Sequence, residues 1–249
     1  MEQVLLAAGG TWQLAWAFAV IFVAYALRGA TGFGAGVVSI PLLLLALPLQ
    51  VVIPLVTAMG MLASFAQAVH QRHFIDWQGL RGLLVPSVIG VAAGLWLFKS
   101  LDPELLLRAL AVFIIGYALW GYLPRRLARP APAWLAPLAG ALGGFVATVF
   151  GGMAGPLYAV YLRTRALDKT MFRATMAFAL VSLSVLRAAG YGGLGFYDAR
   201  VLWLLAAALP VLVVAMIAGD RWHARLDEAR FGHVVAALLV LSGAALLFK

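Results

Sequence analysis

WLAPLAGALGGFVATVFGGMAGPLYAVYL (residues 134–162) holds two apolar segments, near 134–150 and 153–162, in only 29 residues. A helix needs about 20 apolar residues to cross the ~30 Å hydrocarbon core of a bilayer, so the two cannot both cross fully. The stretch predicts a hairpin turning at FGGMAGP (150–156), at membrane depth. Exposed backbone amides are costly in lipid, and such a turn survives only where it is buried in protein or lines a watery cavity. This constraint selects a helical membrane protein whose irregular backbone lies inside the membrane.

The remaining sequence agrees. The 249 residues are 65% hydrophobic and 11% charged, against roughly 45–50% apolar and about 25% charged in soluble domains, which makes this an integral membrane protein. The mean hydropathy is +1.01. Apolar residues come in long blocks rather than in the alternating patterns of half-buried elements. Ten segments are expected, near 11–27, 31–48, 51–70, 81–98, 104–122, 134–150, 153–162, 171–189, 201–219 and 231–248. The N-terminus, MEQVLLAAGGTWQLAWAFAV (1–20), has no positive n-region, because the first basic residue is Arg28, and it reads as the first membrane segment rather than a cleaved signal. The absence of cysteine excludes disulfides, thiol nucleophiles and thiolate metal sites.

The net charge of +9 would point to nucleic acid in a soluble protein, but the basic residues lie in short connections between apolar blocks. Retention of those connections in the cytoplasm explains them. If connections alternate sides, thirteen Lys and Arg fall on one side and five on the other, which predicts that the first side is cytoplasmic and both termini are outside. The Pro- and Arg-rich LPRRLARPAPAW (123–134) divides the chain nearly in half. Each half opens with a glycine-rich stretch ending in proline, GFGAGVVSIP (32–41) and FGGMAGP (150–156). FID (74–76) is answered by FYD (196–198), Pro86 by Pro210, and LDPELLLRAL (101–110) by LDEARFGHVV (226–235). The expected fold is therefore all-α and polytopic, with about ten membrane segments as two inverted five-segment repeats. Segments 1–2 and 6–7 would form hairpins turning within the membrane. The expected organisation is a first repeat over 1–123, a cytoplasmic linker over 124–133 and a second repeat over 134–249.

The two glycine-rich stretches with their prolines, the HQRHFIDW connection (70–77) and the duplication resemble the sulfite exporter TauE/SafE family over nearly the whole chain. The family typically carries a denser glycine run before the proline in each half. The resemblance implies a carrier of small anions such as sulfite, sulfonates and related organosulfur acids.

The residues of RGATGFGAG (28–36) fit that implication. Gly32, Gly34 and Gly36 let backbone amides approach a ligand, and a helix starting there offers unpaired N–H groups that attract anions. Gly151, Gly152 and Gly155 would supply the counterpart in the second half, so that both turns contribute to a central site. The same glycines can instead serve close helix packing. Arg28 reads either as the substrate's counter-charge or as a segment end snorkelling to cytoplasmic headgroups. Thr57, Gly60, Ser64, Gln67 and Gln71 follow one another at steps of three or four on one helical face. Thr175 and Ser182 share a face of segment eight, where Ser184 and Arg187 form a second pair. Ser64, Gln67, Ser182 and Arg187 are candidate substrate ligands, although interhelical hydrogen bonds are the commoner use of such hydroxyls and amides. His70, beside Arg72 and His73, is the candidate for proton coupling. Asp76 and Asp198, each just before a segment, read as helix N-caps.

Hydrolytic chemistry would need a nucleophile with a base, or paired carboxylates at membrane depth, and the acidic residues lie at the N-terminus or near segment ends. No catalytic residue, metal site or cofactor is expected. The leading reading is a secondary transporter in the cell membrane, not an enzyme, exposing a central anion site alternately to the two sides. A passive anion channel and a lipid-headgroup enzyme are the alternatives. The expected partners are a small anionic substrate, the lipid bilayer and, in a homodimer, a second copy of the chain; nucleic acid is not expected.

Overall fold

The computed structural model describes residues 10–31, 34–70, 72–121, 132, 134–222 and 243–246. Among them the regular structure is helical: α1 (Thr11–Thr31), α2 (Ala35–Leu44), α3 (Leu49–His70), α4 (Trp77–Ser100), α5 (Pro103–Gly121), α6 (Leu135–Phe150), α7 (Gly155–Thr164), α8 (Lys169–Gly193) and α9 (Ala199–Trp222). A 3-10 turn, Arg72–Phe74, follows α3, and residues 243–246 are helical. Nine of the ten expected segments thus meet a helix each. The tenth, expected near 231–248, lies outside the described residues except at 243–246.

Among the described residues four helical stretches are long and apolar enough to cross a membrane: Thr11–Ala30, Trp77–Ser100, Lys169–Gly193 and Ala199–Arg221. By contrast, α2 and α7 have 10 residues each. At 1.5 Å per residue each is ~15 Å long, about half of a hydrocarbon core.

Local chemistry sets the helix ends. The carboxylate oxygens of Asp76, Asp168 and Asp198 accept from the backbone N–H groups of Gly79, Met171 and Val201 at 3.1, 2.8 and 2.8 Å, capping α4, α8 and α9. The caps expected at Asp76 and Asp198 are therefore present. α6 stops at Gly151, whose φ of 79° is left-handed, and the N–H groups of Gly151 and Gly152 both donate to Ala147 O, at 2.8 and 2.9 Å.

The chain forms two compact units that do not follow the central linker: residues 1–56, 101–124 and 196–249 make the first, and 57–100 with 125–195 make the second. In the first unit, α2 folds back on α1, and Trp16 Nε1 donates to Leu42 O at 2.9 Å. α1 also crosses α9 closely: a Cβ added at Gly29 would strike Met216 O, and one at Gly219 would strike Ala26 O. Tyr25 OH donates to Val56 O at 3.4 Å and Tyr197 OH to Pro54 O at 3.2 Å, tying both phenols to α3 carbonyls. Residue Gly243 packs on α5 near Ile115 and Ala111 O.

The second unit is built on α4. Its buried residues Gly79, Leu80, Leu83, Ser87, Gly90, Val91, Gly94 and Phe98 recur at steps of three and four, on one helical face. The opposite face carries Val85, Val88, Ile89 and Trp96, all exposed and apolar, which suits lipid. Gly90 and Gly144 bring α4 and α6 to backbone contact, since an added Cβ would strike Ala141 O or Ser87 O. Ser87 Oγ donates toward Leu83 O at 2.7 Å or Gly140 O at 3.0 Å and meets Tyr158 OH at 2.6 Å, which satisfies the buried hydroxyls between α4, α6 and α7.

Candidate functional site

In the second unit the structure gathers polar groups around one cation. Arg187 lies on α8, six residues before the helix ends at Gly193, or ~9 Å along the axis. It is 2% exposed, among the largest fully buried side chains of the protein. Its Nη2 donates to Thr57 Oγ1 of α3 at 2.7 Å, whereas its buried Nε has no hydrogen-bond partner. A guanidinium carries five N–H donors, so Thr57 leaves donor capacity for a further acceptor.

The walls around this cation come from four helices. Tyr191, one turn along α8, places its ring centroid 5.9 Å from Arg187 Cζ, near enough for cation–π attraction. The Tyr191 hydroxyl donates to Thr148 O at the end of α6, and its ring meets Phe98 of α4 edge-on at 5.3 Å. Tyr158 of α7 is fully buried and lies in the field of the same guanidinium. The turn between α6 and α7 completes the group. Gly152 has a φ of 106°, and a Cβ built on it would stand 3.8 Å from Arg187 Nη1. A glycine there lets the backbone adopt a left-handed conformation beside the cation. Gly151 and Gly155 are buried in the same turn, and Gly155 opens α7, where Pro156 has no N–H and Tyr158 N donates to Ala154 O at 3.0 Å, so that Gly155 and Leu157 carry the first-turn N–H groups without an acceptor inside the helix. A buried cation, a hydroxyl and a helix N-terminus in one small region can together bind an oxyanion by charge-assisted hydrogen bonds.

The other expected residues are placed as follows. Ser64 is buried on α3 and Ser182 is half-buried on α8. Gly34, with a φ of 94°, caps the N-terminus of α2, and Gly36 lies in its first turn. Arg28, in the last turn of α1, is 6% exposed, with Tyr25 one turn earlier in its field. Gly34, Gly36 and Arg28 belong to the first unit, and Gly151, Gly152, Gly155, Ser64, Ser182 and Arg187 to the second. Gly32 and the side chains of Gln67 and His70 lie outside the described residues.

Two contributors carry weaker sequence signals, and a buried hydroxyl of the first unit is not singled out at all. Thr57 stands out as one step of the polar stripe on α3, but nothing in its spacing announces Arg187, 130 residues away. Tyr191 follows Arg187 by four residues, the spacing that puts two side chains on one helix face, and that is a usable signal. Ser39, in the first glycine-rich stretch, is fully buried on α2 with no hydrogen-bond partner for its hydroxyl.

At the start of α4, Arg165 Nε donates to Asp76 Oδ2 at 2.9 Å, its Nη2 reaches Asp76 Oδ1 at 3.2 Å, and Asp76 N donates to Thr175 Oγ1 at 2.9 Å. Burial pushes the Asp76 carboxyl up, but the Arg165 hydrogen bonds and charge, with the Gly79 and Gln78 N–H groups, outweigh it and hold the carboxyl below its ordinary range. The hydrogen bond that Arg165 donates to Asp76 correspondingly raises Arg165. This bidentate pair joins the α7–α8 connection to α4, and Asp76 acts as cap and ion-pair partner at once.

The sulfite exporter TauE/SafE family model matches residues 17–246 of the chain. The chain is 26% identical over 175 residues to a "Probable inner membrane transporter protein TsaS" of Comamonas testosteroni, which covers 69% of this chain and 72% of the relative. It is also 26% identical over 223 residues to a "Probable sulfite/organosulfonate exporter TauE" of Cupriavidus necator, covering 87% of each chain. No solved structure matches the chain. The apolar helices, the buried cation and the family match over most of the sequence lead to one conclusion: this chain is a multi-pass cell-membrane protein that belongs to the sulfite exporter TauE/SafE family of transporters.

Proposed function

We propose that the protein is a secondary transporter that carries a small organosulfur oxyanion, sulfite or a sulfonate, and exposes its site alternately to the two sides of the membrane. The observation that carries this reading is Arg187: a buried guanidinium bound to Thr57, with an unpartnered Nε, beside the left-handed Gly152. A charged arginine inside a membrane costs ~2.5–3.5 kcal/mol on insertion scales, and an oxyanion offsets that cost by accepting its free donors. The Cupriavidus necator relative, named a probable sulfite/organosulfonate exporter, supports the substrate class.

Two further observations support the fold behind the mechanism. The lengths of α2 and α7 suit hairpins that turn within the membrane. The close glycine crossings pair the first segment with the ninth and the sixth with the fourth. These are the same partners once the halves are exchanged, as an inverted repeat over 1–123 and 134–249 requires. Arg28 with Gly34 and Gly36 is the first half's contribution to anion handling in this reading, and His70 remains its candidate for proton coupling.

The test is binding and uptake of sulfite and methanesulfonate by the purified protein in proteoliposomes. Arg187→Gln is expected to weaken binding by about 10- to 100-fold, the loss of one charge-assisted hydrogen-bond set. Arg187→Lys should retain part of it. Unchanged binding in a folded Arg187→Gln protein removes Arg187 from the site.

A further inference from the structure

We infer that the Arg187 site selects monoanionic oxyanions, hydrogensulfite or a sulfonate, and rejects dianions such as sulfate and fully deprotonated sulfite. The inference rests on the reading of Arg187 as the substrate's anchor. Among the described residues of the second unit, Arg187 is the one buried charged side chain; the other buried polar residues there, Thr57 and Thr148 among them, are neutral serines and threonines. The titratable groups that face it are phenols, Tyr191 on its own helix and Tyr158 on α7, while α3 presents Thr57, α6 presents Thr148 and α4 presents Phe98 to the Tyr191 ring. Tyrosines ionise near pH 10, so this surrounding is uncharged around neutrality.

The arithmetic of charge then decides. A guanidinium and a monoanion form a pair of zero net charge, whose oxygens take the Nε and remaining Nη hydrogens. Within the second unit a dianion leaves a second negative charge facing only hydroxyls, phenols, apolar side chains and the partial charge of the α7 N-terminus, and a buried charge without a full partner is costly. Hydrogensulfite loses its second proton near neutral pH, so sulfite itself switches between the two classes within the working range of the protein.

Calorimetric titration of the full-length protein in nanodiscs tests this, with methanesulfonate, sulfate and sulfite as probes on both sides of neutrality. Sulfate is expected to bind at least about tenfold more weakly than methanesulfonate, equivalent to ~1.4 kcal/mol. Sulfite affinity should fall as pH rises, while methanesulfonate affinity stays level and so controls for titration of the protein. Sulfate binding as tight as methanesulfonate, or sulfite affinity that grows with pH, overturns the charge selection. Arg187→Gln separates the two readings. If it abolishes methanesulfonate binding while wild-type protein prefers sulfate, Arg187 remains the anchor and only the selectivity fails. If it binds both as wild type does, with an unaltered unfolding temperature, the anchor reading fails and the selectivity with it. The wild-type comparison stands even where the variant does not fold.

Discussion

Gly152 carries a backbone constraint that a side chain would violate, and it lies beside the Arg187 cation. Its φ of 106° lies where L-residues are strained, and its missing Cβ faces the Arg187 guanidinium. Gly152→Ala is therefore expected to lower stability by about 1–3 kcal/mol, the usual cost of a residue held in a sparsely populated backbone region. It should also weaken methanesulfonate binding. Gly60 on α3 is the contrast, because an added Cβ there meets nothing within 4 Å. Gly60→Ala should raise stability by up to ~1 kcal/mol, since alanine is the better helix former, and leave binding alone. Thermal unfolding in detergent, with anion titration of each variant, checks both. Equal losses in the two would mean that the turn has no special role. Residues of this kind are only half legible in sequence. The two glycine clusters stand out by their spacing and prolines, but which glycine takes positive φ, and which arginine lies beside it, depends on the three-dimensional course of α6 to α8.

Elements are where the sequence is most informative, because membrane helices obey length and hydropathy with few exceptions. The segments at 31–48 and 153–162 become helices of 10 residues, and the aspartates before segments four and nine do cap them. What the pattern conceals is the second use of Asp76. Its pairing with Arg165 spans 89 residues, and in the expected count of charges by side Arg165 is merely one of thirteen. The pair sets a pH dependence whose direction follows from the depressed Asp76 carboxyl. A carboxyl held below its ordinary ~3.9 contributes stability that is fully present above that value and is lost as pH falls through the folded-state value. Asp76→Asn removes the ion pair and keeps a weaker cap. It is expected to cost about 1–2 kcal/mol at neutral pH, within the range for hydrogen bonds to charged groups with one partner partly solvated. The gap to wild type should close in acid, where both side chains are uncharged. Unfolding temperatures measured across that range decide it; a gap independent of pH would assign the loss to packing instead of charge.

For the molecule as a whole, the question is how an anion crosses. The compact units draw on both halves of the chain, so packing alone does not mark the proposed repeat boundary. The proposed boundary at 124–133 rests on matched motifs alone, because a duplication would be recorded in sequence while packing records which faces were left to bury. A carrier and a channel can share every residue discussed above and still differ in kinetics. A carrier returns its site to the first side faster when a substrate rides back with it, whereas a channel passes ions independently of what waits on the far side. Proteoliposomes preloaded with unlabelled methanesulfonate should therefore take up labelled methanesulfonate faster than empty ones, with an initial rate that saturates in external substrate. Arg187→Lys, which keeps the charge but not the fork of donors, should slow this exchange more than it weakens binding if the guanidinium geometry is needed while the site turns over. Uptake that is linear in concentration and indifferent to preloading would leave the anion site in place and identify the protein as a channel.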